Sequence, residues 1–173
     1  MSDRATSHTM PPALAAIARS SATLSFTSRP IPLHAEYRPI WRVPLLALML
    51  KICCRGAVAS PKRLHILNWA VRTPSAGREL LAVIHGQRRP GDVIVRLEPT
   101  LNLVIDLARG EGVVEFPQGD RVQLTSTGVR LADEIVKDVE SLRRERELLQ
   151  RVGKGLSEKL VDHIIQVGAR GPA

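Results

Sequence analysis

The sequence predicts a mainly helical α+β domain carrying one small β-hairpin. Three observations lead there. Apolar residues recur at helical spacing in several separate segments. Two short alternating runs, "VVEF" and "RVQL", are joined by Pro117, Gln118, Gly119 and Asp120, which favour a turn. "LTSTGVRLADEI" then follows at once, with Thr125 placed to cap a helix and Gly128 at its third position, where a missing side chain allows a close approach to the hairpin. Helix, hairpin and capped helix in that order define a winged-helix core, extended here by a long C-terminal helix.

The elements follow in order. Residues 1–37 are rich in Ser, Thr, Ala and Pro without a sustained period and read as a disordered or extended arm. "EYRPIWRVP" is expected to lie extended, carrying Tyr37, Ile40 and Trp41 to the core. From Pro44, "PLLALMLKICCRG" is a buried helix that Gly56 stops. "SPKRLHILNWAVRTP" is a second, with Ser60 as its cap, Pro61 at its first position and Pro74 forbidding continuation. A third spans about 75–85, closed by Gly86. "VIVRL" fits a short strand or a helical turn, and 99–109 is a fourth helix. After the hairpin, one helix is expected over 126–152, with apolar positions 132, 135, 139, 142 and 149 and charge pairs Glu140–Arg144 and Glu147–Arg151; a helix this long suits a projecting coiled-coil arm. "GKG" breaks it, and Ser157 caps a last amphipathic helix through about 167. The expected organisation is an arm over 1–37, a winged-helix-like domain over 38–140 and a helical C-terminal extension over 141–173.

Composition narrows the function classes. A chain of 173 residues with 44% apolar content supports one core. Its most apolar run, "VPLLALML", is too short to cross a bilayer, and no secretion signal is legible, so the expectation is a cytoplasmic protein. Cys53 and Cys54 are adjacent, so their side chains diverge, and none of the five histidines lies at zinc-site spacing from them. Core thiols, no metal and no cofactor are expected. The charge of +8 is uneven: residues 42–97 hold ten Lys and Arg against two acids, whereas 98–173 hold eleven against thirteen. A basic half suits phosphates or an acidic protein surface equally.

No motif fixes a catalytic set, and the chain is read as non-enzymatic. "VGKGLS" lacks the upstream glycine, the preceding strand and the Ser or Thr of a phosphate loop. If the winged helix reads duplex DNA, its helix 99–109 should meet base edges, yet its outward residues Thr100, Asn102, Leu103, Asp106 and Arg109, flanked by Glu98 and Glu111, hold one base among three acids. Candidate nonspecific nucleic-acid contacts are Lys62, Arg63, Arg72, Arg78, Arg88, Arg89 and Arg121. Candidate protein-interface residues are Ile66 and Trp69, on the far side of helix 61–72 from Leu64 and Leu67, with Leu149, Leu160 and Ile164. Trp69 either packs beneath the N-terminal arm or anchors an interface.

Across about 38–140, Trp41, "KRLHILNWA", "EPTLN" and "LTSTG" resemble the middle component of bacterial ABC three-component systems, which include the Lamassu-type defence operons. The resemblance implies a winged-helix adaptor in an anti-phage or anti-plasmid complex, linking an SMC-like, ABC-type ATPase subunit to an effector subunit. It carries over no catalytic residues. In that family a basic residue often follows "PxLN"; Leu103 takes its place here. The alternative is a winged-helix transcriptional regulator that dimerises through 126–152 and contacts DNA through Arg109 and Arg121.

Overall fold

The computed structural model describes residues 38–168. Its elements are α1 (Pro39–Cys53), a 3-10 turn (Arg55–Ala57), β1 (Val58–Ala59), α2 (Pro61–Arg72) and α3 (Pro74–Ile84), then a second 3-10 turn (Pro90–Asp92), α4 (Thr100–Gly110), β2 (Val114–Glu115), β3 (Val122–Leu124), α5 (Ser126–Lys137), α6 (Arg143–Val152) and α7 (Glu158–Gly168). The fold is mainly helical with one three-stranded antiparallel sheet of order β1-β3-β2.

The run Leu45–Leu50 of α1 is buried throughout, as expected of a helix apolar all round, and α1 packs against α4, α5 and α6. Two expectations fail at its start. The segment before Pro44 is helical from Pro39, so Pro44 lies inside the helix, and Ile40, expected in the core, is 83% exposed. Proline fits a helix's first turns because the earliest amides have no helical partner, and Pro39 opens α1 for this reason. Trp41 does pack against the core. The arm and Tyr37 lie outside the described residues.

Gly56 takes a φ of 63° and turns the chain out of α1 into β1. The sequence reading did not anticipate β1, because two residues are too few to alternate visibly. It pairs with β3, Val58 opposite Gln123 and Ala59 opposite Val122, while β2 pairs Val114 with Leu124 and Glu115 with Gln123. Ala59, Val114, Val122 and Leu124 point inward.

Ser60 caps α2 as expected, accepting from the Arg63 amide at 3.2 Å. Thr73 alone separates α2 from α3, and its Oγ1 accepts from the Ala76 amide at 3.2 Å. Pro74 therefore ends one helix and opens the next, one residue earlier than the sequence suggests. "VIVRL" forms neither a strand nor a helical turn. Thr125 caps α5 through the Gly128 amide at 3.1 Å, and its hydroxyl also donates to the Gly112 carbonyl of the loop before β2. A β-carbon at Gly128 would stand 2.1 Å from the Val113 carbonyl oxygen, so the close approach read from this glycine is present.

The single helix over 126–152 is replaced by two. α5 ends at Lys137, residues 138–142 turn, and Leu142 adopts a left-handed φ of 49° before α6 begins. Arg146 explains the break. Although it sits in the charged run 143–147, it is buried, and its guanidinium donates to the carbonyls of Ile135, Val136, Asp138 and Val139 at 2.7 to 3.3 Å. A helix end leaves carbonyls without amide partners, and the five donors of one arginine satisfy them here. The anticipated Glu140–Arg144 and Glu147–Arg151 pairs are not formed; Arg143 instead meets Glu147 at 3.2 Å. No arm projects: α6 packs on α1, α2 and α3, α7 packs on α2, and Leu149, Val152, Leu156, Val161 and Ile164 complete the same core.

Candidate interaction site

The residues of interest converge around a buried ion cluster. Glu98, 9% exposed, precedes α4 and accepts from Arg42 of α1 at 2.7 Å and from the Asn68 amide of α2 at 2.9 Å, with Arg72 at 3.6 Å. Burial alone would raise the Glu98 carboxyl, but donors from Arg42, Asn68 and Thr100 outweigh it and hold the group down at about 2. The cluster draws "EPTLN", "KRLHILNWA" and the residue beside Trp41 to one point. Sequence reasoning missed Arg42, Asn68 and Glu98 as partners. The available signal was an asparagine within a helix otherwise apolar on its core side.

This cluster pins the start of α4 and so presents its opposite face. Leu101, Val104, Ile105 and Ala108 turn inward, whereas Leu103 is 69% exposed and Leu107 37%. Leu97, just before the helix, is also exposed. The polar neighbours are occupied: the Asn102 side-chain Oδ1 lies 3.2 Å from the His65 Nε2, and Arg109 lies over the Phe116 ring at 5.1 Å. The outer face of α4 is thus an apolar pair with Asp106 beside it.

A cleft of 690 Å³ opens where α2 meets α3 and the loop leading to Arg96. Trp69, Arg72 and Glu79 line it from the helices, and Arg88, Asp92 and Arg96 from the loop. Arg88 is held by the Asp92 carbonyl at 2.9 Å and by Glu79 at 3.9 Å. Half-buried Trp69 packs one side on the core and borders the cleft with the other.

The sequence-predicted interface set separates on burial. Ile66, Leu149 and Ile164 are enclosed, so they belong to the core and offer no surface. The error arises because α2 is covered on two sides, by the core and by α7, where a single covered face had been assumed. Trp69 and Leu160 remain half-buried against the core. Among the basic candidates, Arg63 is also a correction: it is buried and donates to the Cys53 carbonyl, with Glu158 at 3.9 Å. Lys62 faces Asp162 at 3.5 Å and Arg121 faces Glu158 at 3.6 Å. Arg78 and Arg89 are exposed without an acidic partner among the described residues. The structure brings Arg72 and Arg88 to the cleft with Trp69 and adds Arg96, while Arg121 lies elsewhere, at the start of β3.

Cys53 and Cys54 are both buried and free. Burial first, then the neighbouring Cys54 thiol, pushes Cys53 up to about 12, and burial also raises Cys54. Neither thiol is poised as a nucleophile. Among the described residues, no three His, Cys, Asp or Glu side chains gather as a metal site, and no helix is long and apolar enough to cross a membrane. Comparisons with protein families, curated proteins and solved structures found no match to this chain.

Proposed function

We propose that the chain is a winged-helix adaptor acting by binding alone, and that it joins an SMC-like, ABC-type ATPase subunit to an effector within a bacterial defence complex. The order α1-β1-α2, then α4 leading into the β2–β3 hairpin, supports the winged-helix reading, with α3 as an additional helix. One observation carries the binding mode. The helix before the hairpin exposes Leu103 and Leu107 where a reader of base edges would present Arg, Lys, Asn or Gln. Apolar pairs on a rigid helix suit a protein groove.

The test is affinity purification from the native host, followed by mass spectrometry, with Leu103→Glu as the comparison. An ATPase subunit should accompany the unaltered chain and be lost with the variant, whose thermal unfolding should be unchanged because Leu103 is exposed. The regulator alternative requires the chain to be recovered alone and to shift one promoter fragment, with Arg109→Ala and Arg121→Ala abolishing the shift. That outcome overturns the adaptor reading.

A further inference from the structure

The cleft beside Trp69 has a chemistry that adaptor binding through α4 does not use. Its volume of 690 Å³ lies in the range of small-molecule sites. Three guanidinium groups, from Arg72, Arg88 and Arg96, share its lining with one indole and two carboxylates, Glu79 and Asp92. The arginines are not equivalent. Arg72 leans on Glu98 and Arg88 is fixed by the Asp92 carbonyl, whereas Arg96 is exposed and forms no hydrogen bond or ion pair among the described residues. A planar fork of donors therefore stands at the cleft with nothing to bind, beside two others held in place.

We infer that this cleft binds a nucleoside phosphate, either a free nucleotide or the phosphorylated end of a single strand. The base would lie on the Trp69 indole, which offers a flat apolar surface indifferent to base identity. Phosphate oxygens would meet Arg96 and Arg88, since guanidinium forks match them in pairs. Sugar hydroxyls would donate to Glu79 or Asp92. A bare inorganic anion would use only the arginines and meet both carboxylates at a loss; a neutral nucleoside would leave the arginines unused. The combined lining selects a ligand having all three parts.

The experiment is calorimetric titration of the full chain with ADP, adenosine, tripolyphosphate and a 5′-phosphorylated uridine oligomer, whose terminal sugar keeps its 2′-hydroxyl. ADP or the oligomer should bind with a dissociation constant below about 1 mM, the limit of useful titration. Adenosine and tripolyphosphate should each bind at least about tenfold more weakly than the better of the two, because adenosine lacks the phosphate contacts and tripolyphosphate those of base and sugar. Arg96→Ala should weaken the binding about tenfold or more. Trp69→Leu should lower affinity for ADP to about that of tripolyphosphate; because Trp69 packs on the core, its unfolding is followed alongside, and Arg96→Ala stands as the independent variant. Tighter binding of the oligomer identifies a strand end as the ligand, and tighter binding of ADP a free nucleotide; both support the inference. Failure of both to bind, equal binding of tripolyphosphate, or an unaffected Arg96→Ala overturns it. The titration uses the chain alone, so its failure leaves the Leu103 result, and the adaptor reading, untouched.

Discussion

Replacing Glu98 by Gln tests the buried ion cluster that orients α4. The carboxylate accepts from Arg42 through one oxygen and from Asn68 through the other, inside the protein. Glutamine keeps the shape but removes the charge, and its amide nitrogen must face a donor from Asn68 or from Arg42. Arg42, 6% exposed, would then be a buried cation without its carboxylate. Removing one member of a buried pair costs about 3–5 kcal/mol, most of it the uncompensated partner. The titration gives a second figure. The carboxyl titrates at about 2 in the folded chain against an ordinary 4.5, so the unfolded chain takes the proton first as acid is added. Its contribution is complete above pH 4.5 and disappears as pH falls towards 2. That difference amounts to about 3 kcal/mol. Urea unfolding followed by circular dichroism from pH 7 to pH 2 measures both. Glu98→Gln should be about 3 kcal/mol less stable at pH 7 and should lack this part of the acid-dependent loss. A penalty under about 1 kcal/mol, or an unchanged acid profile, would refute the reasoning.

Three further outcomes follow from individual contacts. Gly128→Ala sets a β-carbon 2.1 Å from a backbone oxygen and should cost about 2–3 kcal/mol despite its gain in helix propensity, whereas Gly110→Ala, with open space around it, should be neutral or stabilising by up to about 1 kcal/mol; equal urea midpoints for the two would contradict the close approach. Arg146→Ala removes the donors that hold the end of α5 and should cost about 2–3 kcal/mol, with faster amide exchange across 135–146; exchange unaltered there would mean that the turn holds itself. In the native protein at pH 8 neither cysteine should react with an aromatic disulfide reagent, and both should react once urea unfolds the chain; prompt labelling of the folded protein would show that the thiols are accessible.

Much of the helical framework was legible because its boundaries are set locally. Ser60 with Pro61, Thr125 with Gly128, and Ser157 each define a helix start through contacts within a few residues, and all three form. The hairpin was legible for the same reason. What escaped depends on partners distant in sequence. β1 is too short to signal itself and exists because β3 lies beside it. The break at 138–142 depends on a buried arginine that local periodicity assigns to solvent. Ile66 and Ile164 read as surplus surface because no periodicity reveals that α7 returns to cover α2. The candidate site divides similarly: exposed Leu103 could be read from its position on one helix, but Arg42, Asn68 and Glu98 meet only after three segments have folded together. Trp69 stood out by its angle on the helix and borders the cleft, while the arginine fork of Arg96 beside it had no sequence neighbour to mark it.

The meeting of Arg42, Asn68 and Glu98 also bears on mechanics. A load applied to the outer side of α4 would pass through this charged knot into α1, the most enclosed helix among the described residues. A partner gripping there would hold α1 and α2 together with α4, since Arg42 and Asn68 both reach Glu98.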